Sequence, residues 1–379
     1  MKKKIVLFSG GRSDFGLLKN IILKFQKSKK FNTDVFVGPS HFSKNFGYTF
    51  NEVKISKIKN IKKIRLKNVH TDNINIAALI SKIIKDVTRS FYKKKYDLAI
   101  VLGDRYEVFA FSFVCTLFKI PIAHIHGGEV TLGAYDNQFR NAITKMACLH
   151  FTSTKKHQLN VIKMGENRRL VKNVGAPAIE NIKLKKFKAK VEIFKKYKIP
   201  LNQKVVMINM HPETMSKISI SNQISSLIES ILMKKKLFFI ITSPSPDTGG
   251  VEMLSIIKRL TKNHSNIRLI ESFGQDNYFN VMKYCSFVCG NSSSGIIEAA
   301  SLGIKTLNVG ERQKGRQLSN QTINVKNNLN EISKGMDMIL KKKIKKIVNP
   351  YDGGKTTNKV FSIIKNIDLD KILVKKYDY

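Results

Sequence analysis

Short apolar runs that lack a polar alternate face, each followed by a glycine or polar turn and then a helix-period stretch, constrain this chain more than any other feature. In the first half the runs are KIVLF (4–8), DVFVG (34–38), DLAIVLG (97–103), IPIAHIHG (120–127), LHFTS (149–153) and LVKNVG (170–175). Between them lie FGLLKNIILKFQK, INIAALISKIIKDVTRSFY, EVFAFSFVCTLFK, NQFRNAITKMA and KKHQLNVIKM. A strand without a polar face is covered on both sides, which in this rhythm means a parallel sheet between helices. The second half repeats the pattern with KVVMINM (204–210), LFFIITS (237–243), IRLIES (267–272), FVCGNSS (287–293), IKTLNVG (304–310) and TINV (322–325). Two successive sets predict two doubly wound α/β domains, joined in the lysine-rich stretch at 180–200. Ligands bind at the carboxyl ends of such strands, so two facing domains predict a cleft between them.

A chain of 379 residues is long enough for two separate cores. Its longest apolar runs, such as LFFIIT (237–242), are too short to span a bilayer. The start MKKKIVLFSGGRSD has too few apolar residues for a signal peptide and reads as a first strand, so a cytoplasmic protein without membrane attachment is expected. Cys115, Cys285 and Cys289 sit among apolar residues, and with Cys148 they form no CxxC pair; reduced core thiols are expected. The net charge of +41 raises nucleic acid as a partner. The lysines are spread along the chain, however, thickest in connecting stretches such as KISKIKNIKKIRLKN (54–68), NIKLKKFKAK (181–190) and LKKKIKKIV (340–348). Aromatics are not interleaved with them as on a base-stacking surface, so anionic small molecules rather than nucleic acid are the expected partners.

Chemistry-bearing residues gather where the predicted strands end. SGGRSDFG (9–16) is a glycine turn entering a helix, where backbone N–H groups and Arg12 suit an anion. GDRYE (103–107) puts Asp104 and Arg105 after the third run, and the fourth runs straight into HIHGGE (124–129). In an extended segment His124 and His126 point to the same side. This stretch can be read as a metal site, a metal-free acid–base site or core packing. Asp136 stands at the next helix entrance, where it can serve as a simple cap. In the second half His211 ends one run, and GNSSSGIIEAASLG (290–303) opens a helix with three serines. Hydroxyls and free N–H groups there suit a phosphate, and Glu298 one turn in suits a ribose diol. VGERQKGR (309–316) adds Arg312, Lys314 and Arg316.

The ordered series GRSDFGLL, GDRYE, IPIAHIHGGEVTLGAYD, ITKMACLHFTST, NVGAPAIENI, GNSSSGIIEAASLG and VGERQKGR, running from residue 5 to residue 325, resembles the UDP-N-acetylglucosamine 2-epimerase family. It most resembles the hydrolysing branch that makes N-acetylmannosamine (ManNAc) for sialic-acid-type sugars. The resemblance implies a GT-B architecture: an N-terminal Rossmann-like domain (1–180) with the sugar and acid–base residues, and a second (200–350) that binds UDP. A C-terminal helix within 351–379, with TTNKVFSIIKNI (356–367) as its candidate, would pack back on the first. The implied reaction is anti elimination of UDP across C1–C2, giving a glycal that then takes up water. A metal is not implied, since this elimination needs none, and no cofactor is. A homodimer is implied.

Residue by residue, the resemblance places catalytic acids and bases at Asp104, His126, Glu129 and Asp136, with His211 from the second domain. It places substrate contacts at Arg12, Gly16, Arg105, Ser292, Ser293, Glu298 and Arg312. The sequence departs from the family where an acid-acid-x-x-Arg-His segment reads Asp136-Asn137-Gln138-Phe139-Arg140-Asn141. Amides hold hydrogen bonds but exchange no proton at neutral pH. A family Asn-Ala-Asp turn reads Ser245-Pro246-Asp247. These departures bear on the substrate: a UDP-N,N′-diacetylbacillosamine 2-epimerase of the legionaminic-acid type, or a non-hydrolysing UDP-N-acetylglucosamine (UDP-GlcNAc) 2-epimerase, stands beside the UDP-GlcNAc hydrolysing reading.

Overall fold

The computed structural model describes residues 2–43, 48–66, 72–245, 248–344 and 346–378, with the side chains of Arg12, Ser13 and Gln275 also outside the description. Two parallel sheets form the framework. The first comprises β1 (Lys3–Ser9), β2 (Phe31–Val37), β3 (Ile61–Lys63), β4 (Leu98–Leu102), β5 (Ile122–Ile125), β6 (Leu149–Thr152) and β7 (Val171–Asn173). The second comprises β8 (Lys204–Asn209), β9 (Leu237–Thr242), β10 (Ile267–Ile270), β11 (Phe287–Gly290), β12 (Lys305–Val309) and β13 (Thr322–Val325). The strand orders are β3-β2-β1-β4-β5-β6-β7 and β10-β9-β8-β11-β12-β13. In each, the order reverses beside the first strand, at β1/β4 and β8/β11, which opens a crevice at the carboxyl edge.

The absence of a polar face has the expected consequence. Ile5 and Leu7 of β1 pack into one core layer and Val6 and Phe8 into the layer on the opposite face, all four without solvent exposure. Val206 and Ile208 of β8 and Val205 and Met207 divide in the same way. At roughly 1.5–3 kcal/mol for each large side chain buried, these layers fix the sheets in register. The four cysteines are buried free thiols. Among the described residues, no helix is long and apolar enough to cross a membrane.

Two local expectations change. Within the lysine-rich stretch at 54–68, Ile61–Lys63 forms an edge strand, paired through Val35↔Ile61. Its lysines are exposed, as suits a sheet edge. Between the sheets lie helices Pro177–Leu184 and Lys190–Lys196, and Ile193 and Phe194 of the latter belong to the second sheet's core, ahead of residue 200.

The C-terminal helix Thr356–Asn366 crosses back to the first sheet. Val360 and Ile364 enter its core, and the Phe361 ring stands 5.2 Å from Phe25 and 5.7 Å from Phe31. The Thr357 N–H donates to Glu180 Oε2 at 2.7 Å. The last residues add a clamp: buried Glu166 accepts from Lys375 (2.7 Å), Lys145 (3.0 Å) and His150 Nε2 (3.1 Å).

Candidate active site

The carboxyl edges of the two sheets face one another across a cavity of about 320 Å³, within the range of small-molecule sites. Asp104, His126, Glu129, Asp136, His211, Gly16, Arg105, Ser292, Ser293, Glu298 and Arg312 all line it. Arg12 opens the helix Arg12–Gln26 beside the cavity, but its side chain lies outside the described residues, as do Pro246 and Asp247.

The two histidines of HIHGGE part company. β5 ends at Ile125, and His126 turns out of it with a left-handed φ of +72°. The turn continues through Gly128, φ +76°, where a Cβ would lie 2.3 Å from the His157 carbonyl oxygen. So the expected same-side alternation fails. His124 stays in the core: its Nε2–H donates to the Gly103 carbonyl at 2.8 Å, and Nδ1 therefore accepts from Thr144 at 3.2 Å. Burial pushes its imidazole down to about 3, and it is a neutral packing residue.

His126 instead faces a carboxylate. Its Nδ1 is 3.0 Å from Glu129 Oε1, which also accepts from Ser153 Oγ at 2.7 Å. Arg316, from the second sheet's side, donates to Glu129 Oε2 at 2.5 Å. Burial alone would raise the Glu129 carboxyl, but Arg316 and then His126 hold it well below the ordinary range. An ionised Glu129 makes Nδ1 the donor and leaves Nε2 as the basic nitrogen. That Nε2 is buried without a hydrogen-bond partner.

Asp104 reaches Arg140, a guanidinium only 1% exposed, in a direct ion pair. Arg140 Nη1 also donates to the Glu129 carbonyl (2.8 Å) and Thr131 Oγ1 (2.9 Å). Asp104 thus reaches the Glu129 backbone through Arg140. Asp136 is the first residue of helix Asp136–Met146 and Tyr135 is its cap, so the capping reading of Asp136 does not hold. A buried carboxylate there is favoured by the helix dipole. Asn137 accepts from the Thr131 N–H (3.1 Å) and from Arg140 (3.3 Å), giving the amide a bracing role. Asn141 does not line the cavity.

Across the cleft, His211 Nδ1 accepts from the Ser245 N–H at 2.9 Å, so the ring carries its proton on Nε2. Ser292 caps helix Ser293–Ser301, accepting from the Ser294 N–H at 3.4 Å, so the bland capping role and exposure to the cavity coexist. Tyr278 OH braces Ser294 Oγ at 2.5 Å. Burial pushes Glu298 up to about 7, and its Oε2 is buried without a hydrogen-bond partner. Arg105 donates to Glu107 Oε2 at 3.1 Å, while Ser40 holds Oε1 at 2.8 Å. Arg312 lies in a turn whose N–H groups at 311 and 312 donate to Glu213 Oε1 at 3.0 and 3.3 Å.

Sequence reasoning named Arg316 as one of three basic residues of VGERQKGR without giving it a partner, and it did not single out Glu107, Glu213 or Tyr278. Arg140, Arg316 and Glu107 each lay in a quoted segment; Glu213 and Tyr278 had no signal beyond their charge or polarity. Among the described residues, no three His, Cys, Asp or Glu groups are arranged to hold a metal ion. The arrangement offers a basic imidazole backed by a carboxylate on one wall. The other wall presents N–H donors, hydroxyls and an unpartnered carboxyl oxygen.

The profile of the family described as UDP-N-acetylglucosamine 2-epimerase matches residues 23–365. A GDP/UDP-N,N′-diacetylbacillosamine 2-epimerase (hydrolyzing) from Campylobacter jejuni is 32% identical, with 99% of each chain covered. The polysialic acid biosynthesis protein P7 of Escherichia coli is also 32% identical, over 92% of this chain and 90% of that one. A crystal structure of UDP-GlcNAc 2-epimerase from Neisseria meningitidis bound to UDP-GlcNAc superposes with a TM-score of 0.79 at 20% identity, covering 97% of this chain and 100% of that one. The fold is therefore the GT-B-like pair of Rossmann-like domains that the sequence predicted.

Proposed function

This chain belongs to the UDP-N-acetylglucosamine 2-epimerase family, and from that premise we propose that it is a hydrolysing 2-epimerase of a UDP-linked 2-acetamido sugar. The observation that carries the reading is the His126–Glu129 pair, its Nε2 unpartnered, set in one cleft with the Ser292–Glu298 helix start. His126 Nε2 takes the proton from C2 of the sugar. The C2–H electron pair becomes the C1=C2 bond as the C1–O bond breaks, and UDP leaves with that electron pair. Water then adds at C1 as its proton passes to the Asp136 carboxylate, which returns a proton to C2 on the opposite face, and His126 gives up its proton to solvent. The products are UDP and the free 2-epimer.

Each wall serves a step. The C2 proton is weakly acidic, so a basic group fixed by Glu129 in a buried position is needed. The departing diphosphate gains charge, which His211 Nε2–H, Arg12 and the N–H groups before Ser294 are suited to meet. Glu298 accepts from the ribose hydroxyls; Arg105, Gly16 and Arg312 complete the contacts. The enzyme works in the cytoplasm as a homodimer.

UDP-GlcNAc is the first substrate reading, giving ManNAc for sialic-acid-type sugars, and the name of the Escherichia coli relative supports that pathway. UDP-N,N′-diacetylbacillosamine is the second, supported by the name of the Campylobacter jejuni relative at equal identity. Incubation with each sugar in heavy water separates them. UDP release with deuterium at C2 of a free 2-epimer is expected for the true substrate. Retention of UDP on the epimerised sugar would mean a non-hydrolysing enzyme, and no C2 exchange with either sugar would sink the proposal.

A further inference from the structure

Arg316 sits in the turn between β12 and β13, yet its guanidinium lies against a carboxylate of the first domain. Nη1 is 2.5 Å from Glu129 Oε2, with the two side chains 7% and 1% exposed. The backbone around the pair is interlocked. The Leu132 N–H donates to the Lys314 carbonyl (3.2 Å), and the Met215 N–H to that of Gly133 (3.4 Å). The Tyr135 N–H donates to Thr214 Oγ1 (3.1 Å). Gly315, with φ +91°, would place a Cβ 2.5 Å from Val130.

We propose that Arg316 is a positioning residue through which the second domain completes the His126–Glu129 pair of the first. The inference rests on the reading that this pair moves protons at C2. Glu129 has two oxygens: one is held by His126 and Ser153, both of the first domain, and the other by Arg316. With the domains together, Glu129 is an anion and orients the His126 ring with Nε2 toward the cleft. With them apart, the carboxyl loses the Arg316 guanidinium, and its protonated form is favoured. The base is then assembled only when the cleft is closed, which ties proton abstraction to exclusion of bulk water.

The groups facing Glu129 come from every neighbouring element. His126 follows β5; Ser153 follows β6 and holds His157 Nδ1 at 2.8 Å. Arg140 bonds the Glu129 carbonyl rather than its carboxylate. Tyr351 and Glu298 complete the surroundings. Arg316 is the cation bonded to the carboxylate itself.

The test uses the full chain with UDP-GlcNAc and UDP-N,N′-diacetylbacillosamine. It measures kcat, KM and pH profiles for wild type, Arg316→Lys and Arg316→Met, and thermal midpoints for these and for the double variant Glu129→Gln/Arg316→Met. Arg316→Met is expected to lower kcat about 100-fold, as for a misplaced catalytic group, with little change in KM. Its acid limb should move to higher pH, and Arg316→Lys should recover part of the rate. Glu129→Gln should raise the melting midpoint of Arg316→Met, because an amide needs no cation. A raised KM with kcat retained would make Arg316 a substrate contact and overturn the proposal. An unmoved acid limb or absence of thermal recovery would overturn it too. If Arg316→Met fails to fold, the double variant and Arg316→Lys carry the comparison. A wild type inactive on both sugars counts against the functional reading, whereas missing thermal coupling counts against Arg316 alone.

Discussion

Asn291 bonds both main-chain groups of His211, accepting from its N–H at 2.8 Å and donating to its carbonyl at 2.8 Å. The side chain thereby continues the β8–β11 ladder by one residue beyond Gly290 and fixes where His211 enters the cleft. Asn291→Leu is expected to cost about 1–3 kcal/mol in urea denaturation, the penalty of unpaired buried groups. UDP binding should weaken about tenfold or more, the worth of one hydrogen bond to a charged group. Calorimetry showing unchanged UDP affinity would remove His211 from the diphosphate.

The two histidines of HIHGGE should respond oppositely to substitution. His124→Leu leaves the Gly103 carbonyl without its donor and should lose roughly 1–3 kcal/mol of stability, while the folded fraction keeps C2 exchange. His126→Gln should fold, with exchange lowered about 10²–10⁴-fold. Mass spectrometry of deuterium at C2, normalised to folded protein, checks both; full exchange by His126→Gln would exclude it as the base.

Glu298 gives a pH dependence whose sign can be worked out. Burial pushes its carboxyl up from an ordinary 4.5 to about 7, so the folded state holds the proton more tightly. The stability it contributes is present below 4.5 and is lost as pH rises through about 7. Binding should show the reverse, because a carboxylate accepts ribose hydroxyls, so UDP affinity should rise through the same window. Glu298→Gln should flatten both differences in urea titrations and UDP calorimetry; a parallel pH response in the variant would assign them elsewhere.

Glu166 has the opposite sign. Burial would raise it, but hydrogen bonds from His150, Lys375 and Lys145 hold it at about 2. Its contribution is therefore present above the ordinary 4.5 and lost as pH falls toward 2. Lys375→Met should cost about 1.5–3 kcal/mol at pH 7 and narrow the acid loss. Equal midpoints for variant and wild type at pH 7 would show that the C-terminal clamp adds nothing.

Much of the site was legible because doubly wound folds put function at strand ends, and strand ends can be located from apolar runs alone. Asp104, His126, His211 and Ser292 follow that rule directly. The pairings of Arg316 and Glu213 escaped it. Both lie in loops, and their importance comes from a partner far along the chain: Glu129 for Arg316, and the turn at 311–312 for Glu213. No local pattern encodes such a pairing. The strand Ile61–Lys63 escaped for a different reason, since an edge strand can be polar and carries no buried-run signature.

By itself the sequence determined the two parallel sheets, because covering a sheet on both faces demands apolar runs of fixed length and spacing, while the ordered motifs carried the resemblance to the family. Spacing alone puts both histidines of HIHGGE on one side; the tertiary structure sends His126 to the cleft and His124 into the core. The two are alike in residue type and nearly adjacent, and only the left-handed turn at His126 sends one to Glu129 while the other stays bonded to Gly103. It also decided that Glu129 is an anion, since that charge depends on a guanidinium contributed by the opposite domain.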